Sequence, residues 1–318
     1  MTEPLRPMST GQLLDHTFAL YRKNFVLFVG IATVGPAASV IFQLLTVGAN
    51  VGSPFGASNR AATAAVMAKL GLDMVFGYFV LLAGMAISHA ATVKAVAAVH
   101  LGQNTSIIDA YKALRGRLWS LFGTCGLIFF WMFLWMMLAV VGVTAVMVPI
   151  FMGLGAGRHS APGPAAAVVA GLVGFATVAL VFVGFVAIYV RYALAIQACI
   201  VENLGPRASL KRSIFLSKGS RWRVVVIYLI FFLLAIILGF GLGGIAGGAG
   251  SLVHNRIVAA ILIYLASFIT GSITGPLATI GLSLLYYDER VRKEAFDLQL
   301  MMSSLDAPGL PSPVPAQI

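Results

Sequence analysis

The sequence predicts an all-α fold: a polytopic membrane helix bundle of six transmembrane helices, arranged as three hairpins that each follow a cytoplasmic interfacial helix. Three observations carry this. Six long apolar stretches run through the 318 residues, with 60% of the chain hydrophobic and only 10% charged. The mean hydropathy is +0.97. A polar, basic segment recurs ahead of every second apolar stretch.

Crossing about 30 Å of hydrocarbon at a 1.5 Å rise takes about 20 apolar residues in a helix. The runs at 25–47, 72–99, 118–148, 166–200, 222–248 and 257–286 meet that length. They are continuously apolar, whereas barrel strands would alternate lipid-facing and lumen-facing positions over about ten residues. The longest runs must tilt, bend or project, and Pro149 with Gly153–Gly157 marks the expected end of the third.

The polar segments read as an internal repeat. Leu14–Phe25 and Ile108–Trp119 align without a gap, matching Asp15 with Asp109, Ala19 with Ala113, Lys23 with Arg117 and Phe25 with Trp119; Ala208–Trp222 joins them with one inserted residue. In the first unit Leu13, Leu14, Thr17, Phe18 and Tyr21 share one helical face, the pattern of a helix lying in the interface. Ser9 with Gln12, and Ser106 with Asp109, are capping-box pairs that would start two of these helices. Phe25, Trp119 and Trp222 stand where a headgroup-level aromatic belt is expected. The candidate lipid contacts are Arg22, Lys23, Arg115, Arg117, Lys211, Arg212, Lys218 and Arg221.

A further cytoplasmic helix is predicted at 288–302, with Asp288/Arg292 and Glu289/Lys293 as acid-before-base pairs four residues apart. Residues 1–302 thus form one six-span domain, and the proline-rich 303–318 a disordered cytoplasmic tail. The first 24 residues lack the apolar core of a cleavable signal, so the first span serves as the insertion signal.

Fifteen lysines and arginines, from Arg6 to Lys293, fall on the side that holds both termini, against Arg60, Lys69, Arg158 and Arg256 in the opposite loops. The bias places both termini in the cytoplasm and accounts for the net charge of +11 without nucleic acid.

Ionisable groups inside spans cost roughly 2.5–3.5 kcal/mol at the centre and call for a partner or a role. The candidates are His89 and Lys94, with His100, in the second span, and Arg191 and Glu202 in the fourth. Lys94 is placed to snorkel to the interface. Gly239, Gly243 and Gly247 repeat every four residues in the fifth span and predict a close helix–helix seam, while Gly275-Pro276 predicts a kink in the sixth. Cys125 and Cys199 lie in apolar runs and read as small buried hydrophobes rather than a disulfide or metal site. No His-Glu-x-x-His, Gly-x-Ser-x-Gly or phosphate-loop motif occurs, so neither a catalytic residue nor a cofactor or metal site is assigned.

Thr10–Phe25, Arg191–Glu202, Ala208–Ser213 with Lys218–Trp222, and Tyr286–Leu298 together resemble the bacterial glycerophosphoryl diester phosphodiesterase membrane-domain family. The resemblance implies a six-span bacterial inner-membrane module. In proteins of this kind that hydrolyse phosphodiesters, the chemistry belongs to a separate soluble barrel, for which this chain has no room. The expected function is therefore a non-enzymatic module that scaffolds or assists partners and contacts anionic lipid at the cytoplasmic face. The alternative is a transporter or channel for a small or lipid-like solute, which an enclosed polar cavity would favour.

Overall fold

A computed structural model describes residues 8–50, 60–100, 102–153, 164–253 and 256–294. Among them every regular element is a helix, and six candidate spans fall at Phe25–Leu44, Met74–His100, Leu118–Ile150, Val168–Val201, Arg221–Leu252 and Ile257–Glu294. The protein is an all-α, multi-pass membrane protein. The chain divides into two compact units: one comprises the chain up to Arg115 and from Trp222 onward, the other Gly116–Arg221.

In the first unit, α1 (Thr10–Lys23) opens with the predicted capping box: the Gln12 N–H donates to the Ser9 hydroxyl at 3.3 Å, and the Ser9 N–H to the Gln12 side chain at 2.9 Å. Of the face predicted to lie in the interface, Leu13, Thr17 and Tyr21 are instead buried in protein. Phe18, half exposed, still reaches the Phe231 ring at 5.7 Å. The first span is split by Thr33 into α2 (Phe25–Ala32) and α3 (Val34–Asn50). It runs antiparallel to α4 (Arg60–His100): Phe42 faces Tyr78, Ala38 faces Gly84, and Gly35 faces Met85 and Ser88. The short α5 (Ile107–Lys112) starts at Ser106, whose hydroxyl accepts the Asp109 N–H at 3.2 Å as predicted.

The last two long helices of this unit, labelled α10 (Arg221–Leu252) and α11 (Arg256–Glu294), are also antiparallel. Their register is read from Arg223 beside Asp288, Phe231 and Ile227 beside Gly281, Gly239 beside Thr270 and Gly250 beside Ala259. At Gly281 the missing side chain lets α1 join this pair, since a Cβ there would lie 3.0 Å from Phe231 and 3.6 Å from Thr17. Helix α11 is the hub, touching α1, α2, α3 and α4, and its residues from Gly281 to Glu289 are all buried.

The second unit contains α6 (Leu118–Gly153), α7 (Pro164–Tyr192), α8 (Ala195–Val201) and α9 (Pro206–Ser217). Helices α6 and α7 are antiparallel, with Trp135 against Gly184 and Met147 against Gly174. Asn203, at φ 59°, turns the chain after α8, a left-handed position that asparagine tolerates. Pro206 then begins α9 and rests on Gly123 of α6.

The third span ends where expected, at Ile150, with Pro149 inside α6 and the helix continuing to Gly153; residues 154–157 are outside the described ones. Other predicted boundaries differ. The fourth span is broken after Tyr192, because the Ser213 hydroxyl enters its backbone ladder, accepting from the Leu194 N–H at 3.2 Å and donating to the Arg191 carbonyl at 3.0 Å. The segment from Asp288 is no separate helix but the end of α11; residues 295–302 and the 303–318 tail lie outside the described residues. The glycine row of α10 is engaged at one end only. Within the described chain a Cβ at Gly243 or Gly247 would meet nothing within 4 Å, and one at Gly239 would only reach Thr270 at 3.8 Å, whereas Gly250 lies close against Ala259.

Candidate functional site

Two prolines interrupt the spans of the first unit near their middles, and each frees a backbone carbonyl that its ring cannot bond. For Pro36 this is the Ala32 carbonyl, and the Ser88 hydroxyl of α4 reaches it at 3.3 Å and the neighbouring Ile31 carbonyl at 3.4 Å. For Pro276 it is the Ser272 carbonyl; one residue on, the Ile273 carbonyl accepts the Tyr21 hydroxyl at 2.8 Å. Tyr111 of α5 likewise donates to the Ile31 carbonyl. Burial pushes both phenols from 10.0 up to about 12, so they remain protonated donors at neutral pH.

Between these prolines lies a cavity of about 140 Å³. Pro36 and Pro276 both line it, and Pro36 seats against Gly271, where a Cβ would come within 2.9 Å of the proline ring. Its polar wall is made by Ser88, His89 and Thr92 of α4 and Thr274 and Thr279 of α11. His89 Nδ1 and Thr279 Oγ1 share a hydrogen bond of 2.6 Å, the ring tautomer deciding which donates. Thr92 donates to the Ser88 carbonyl at 2.9 Å, Thr274 to the Thr270 carbonyl at 2.8 Å, and Thr279 lies 3.4 Å from the Gly275 carbonyl. With these hydroxyl protons directed to backbone, the wall turns oxygen lone pairs toward the cavity.

His89 is thus the one predicted intramembrane residue that lines this cavity. Lys94 is half-buried on α4 and is not among the lining residues. His100 instead stacks on Tyr287 at 5.2 Å, with His16 edge-on at 6.4 Å. Arg191 is exposed, its guanidinium over the Tyr192 ring, and Glu202 pairs with Arg212 at 2.8 Å. The threonines and Ser88 carried no sequence signal of their own; Pro36, mid-span like Gly275-Pro276, was the sign that would have located them.

At the basic junctions the local geometry repeats. Gly116 and Gly219 both adopt positive φ, 85° and 91°, three residues before Trp119 and Trp222, which are 88% and 73% exposed. Only glycine turns the chain so without strain. Arg22, Lys23, Arg115, Lys211, Lys218 and Arg221 are exposed, and Arg117 is half-buried. Arg212 is spent on Glu202. A buried ion cluster, not foreseen as such, completes the first unit: Arg223 contacts Asp288 at 2.6 Å and Glu289 at 3.0 Å, and the predicted pairs to Arg292 and Lys293 close at 2.9 and 3.1 Å.

Comparison with family models, with curated proteins and with solved structures returns no match.

Proposed function

We propose that this multi-pass membrane protein is a non-enzymatic module that holds anionic lipid at its cytoplasmic face and there scaffolds or assists protein partners. The observation that carries the reading is the repeated junction: a glycine turn that leaves a tryptophan exposed beside exposed cations. An exposed tryptophan suits the headgroup level, and each nearby lysine or arginine adds about 1 kcal/mol of attraction to an anionic surface. The buried carboxylates Asp288 and Glu289 are committed to ion pairs, which supports a non-catalytic role. The resemblance to the phosphodiesterase membrane-domain family supports a bacterial inner-membrane location.

Replacing Arg22, Lys23, Arg115 and Lys211 with glutamine is expected to strip co-purifying anionic lipid while leaving the spans inserted. Native mass spectrometry of the purified variant reads the outcome. Lipid retained at the parent level, at low and high salt alike, removes the lipid-holding reading.

The second reading, passage of a small solute, is favoured by one observation: the cavity lies mid-span between two proline-bearing spans, the first of them split at Thr33, and transporters place substrate near the midplane at broken helices.

A further inference from the structure

We infer that the cavity between α2, α3, α4 and α11 is a binding site for a small uncharged solute bearing hydroxyl hydrogens, of the size and polarity of a short-chain diol. Its position sets the depth. His89 lies 15 residues from Met74 and 11 from His100, and Pro276 is near the centre of Ile257–Glu294. A ligand there is therefore taken up from the middle of the spans.

Size follows from the volume of about 140 Å³. A cavity of about 150 Å³ accommodates a benzene-sized molecule, or roughly six non-hydrogen atoms. Polarity follows from the hydrogen-bond ledger. Ser88, Thr92 and Thr274 already donate their protons to the carbonyls of Ala32, Ser88 and Thr270, so their oxygens remain as acceptors and the ligand must supply donors. Charge follows from the wall. Among the described residues no lysine, arginine, aspartate or glutamate lines the cavity, so an ion would lose its hydration without a counter-charge. An apolar remainder is accommodated by Ala32, Met85 and the two proline rings. Small sites that combine an apolar shell with a few convergent polar atoms are the usual form for such ligands. His89, tied to Thr279 through Nδ1, offers Nε2 as its remaining polar atom and orients the solute.

The inference rests on the solute reading above, and the test separates the two. Full-length protein labelled with ¹⁵N-histidine is placed in phosphatidylcholine nanodiscs and titrated with 1,2-propanediol, then with xenon. The His89 ring signal, assigned by its loss in His89→Gln, is expected to shift saturably with the diol. Thr92→Val and Thr274→Val keep side-chain volume but delete an acceptor, and each is expected to weaken the diol on the order of tenfold. Unmoved His16 and His100 signals show that the variants fold. A His89 signal silent to the diol, or responsive to xenon alone, overturns the site. Light scattering from proteoliposomes then reads permeation of the same diol. Binding without permeation keeps the site and removes transport; permeation with a silent His89 keeps transport and removes the site.

Discussion

Arg223 is the residue on which the first unit closes. Its guanidinium contacts Asp288, fully buried, and Glu289, 3% exposed, and also donates to the Met8 carbonyl at 2.9 Å. The Met8 N–H in turn donates to Asp288 at 2.7 Å, so chain positions far apart in sequence meet at one cation. Paired carboxylates out of water are stable only while their counter-charges hold. Arg223→Gln removes the cation that bridges both, leaving Asp288 to Arg292 and Glu289 to Lys293, and the expected loss is roughly 1.5–3 kcal/mol. The detergent melting temperature should drop and hydrogen exchange through residues 10–23 should accelerate, because α1 is held beside this cluster. Adding Glu289→Gln relieves the repulsion between the two neighbouring carboxylates that Arg223 had bridged and should recover part of the loss. A single Arg223→Gln variant that melts like the parent would contradict the clasp.

At the scale of elements, long helices meet where a side chain is missing. Gly84 lets Ala38 of α3 approach, and Gly184 receives the Trp135 ring of α6. Without a hydrophobic force between helices in lipid, such close packing is a main source of association. Gly84→Leu and Gly184→Val should each lower the melting temperature by several degrees, while Gly243→Leu, whose added side chain meets open space, should leave it near the parent value. A large effect at Gly243 would show that its face is covered in the native membrane. These contrasts explain what the sequence could and could not tell. Span number and helical type were legible because twenty apolar residues admit few structures in a bilayer. Caps at Ser9 and Ser106 were legible because they are local. The close approach at Gly250 was not, since spacing alone cannot say which glycine meets a neighbouring helix. The break after Tyr192 depends on Ser213 of another helix, and the cavity on Pro36 finding Gly271, contacts that neither segment encodes by itself.

For the whole molecule the remaining question is which way six spans face, and charge placement makes a prediction. Lysines and arginines near the ends of spans resist translocation, whereas acids contribute little, so paired and unpaired cations both count. Fifteen of the 21 Lys and Arg residues belong to the side of the termini and four to the opposite loops. Arg22, Lys23, Arg115, Arg207, Lys211 and Arg221 are exposed at the short helices and junctions, and Trp119 and Trp222 stand exposed beside them. The basic clusters should therefore face the cytoplasm, with the segments around Ser58 and Ser160 outside. A cysteine placed at either position should react with an impermeant maleimide added to intact cells, and one at Ser106 only after permeabilisation. Cys199 is buried and Cys125 partly so, which keeps their background low. Labelling of Ser106→Cys on intact cells, with Ser58→Cys protected, would invert the protein and place its lipid-holding junctions on the opposite face.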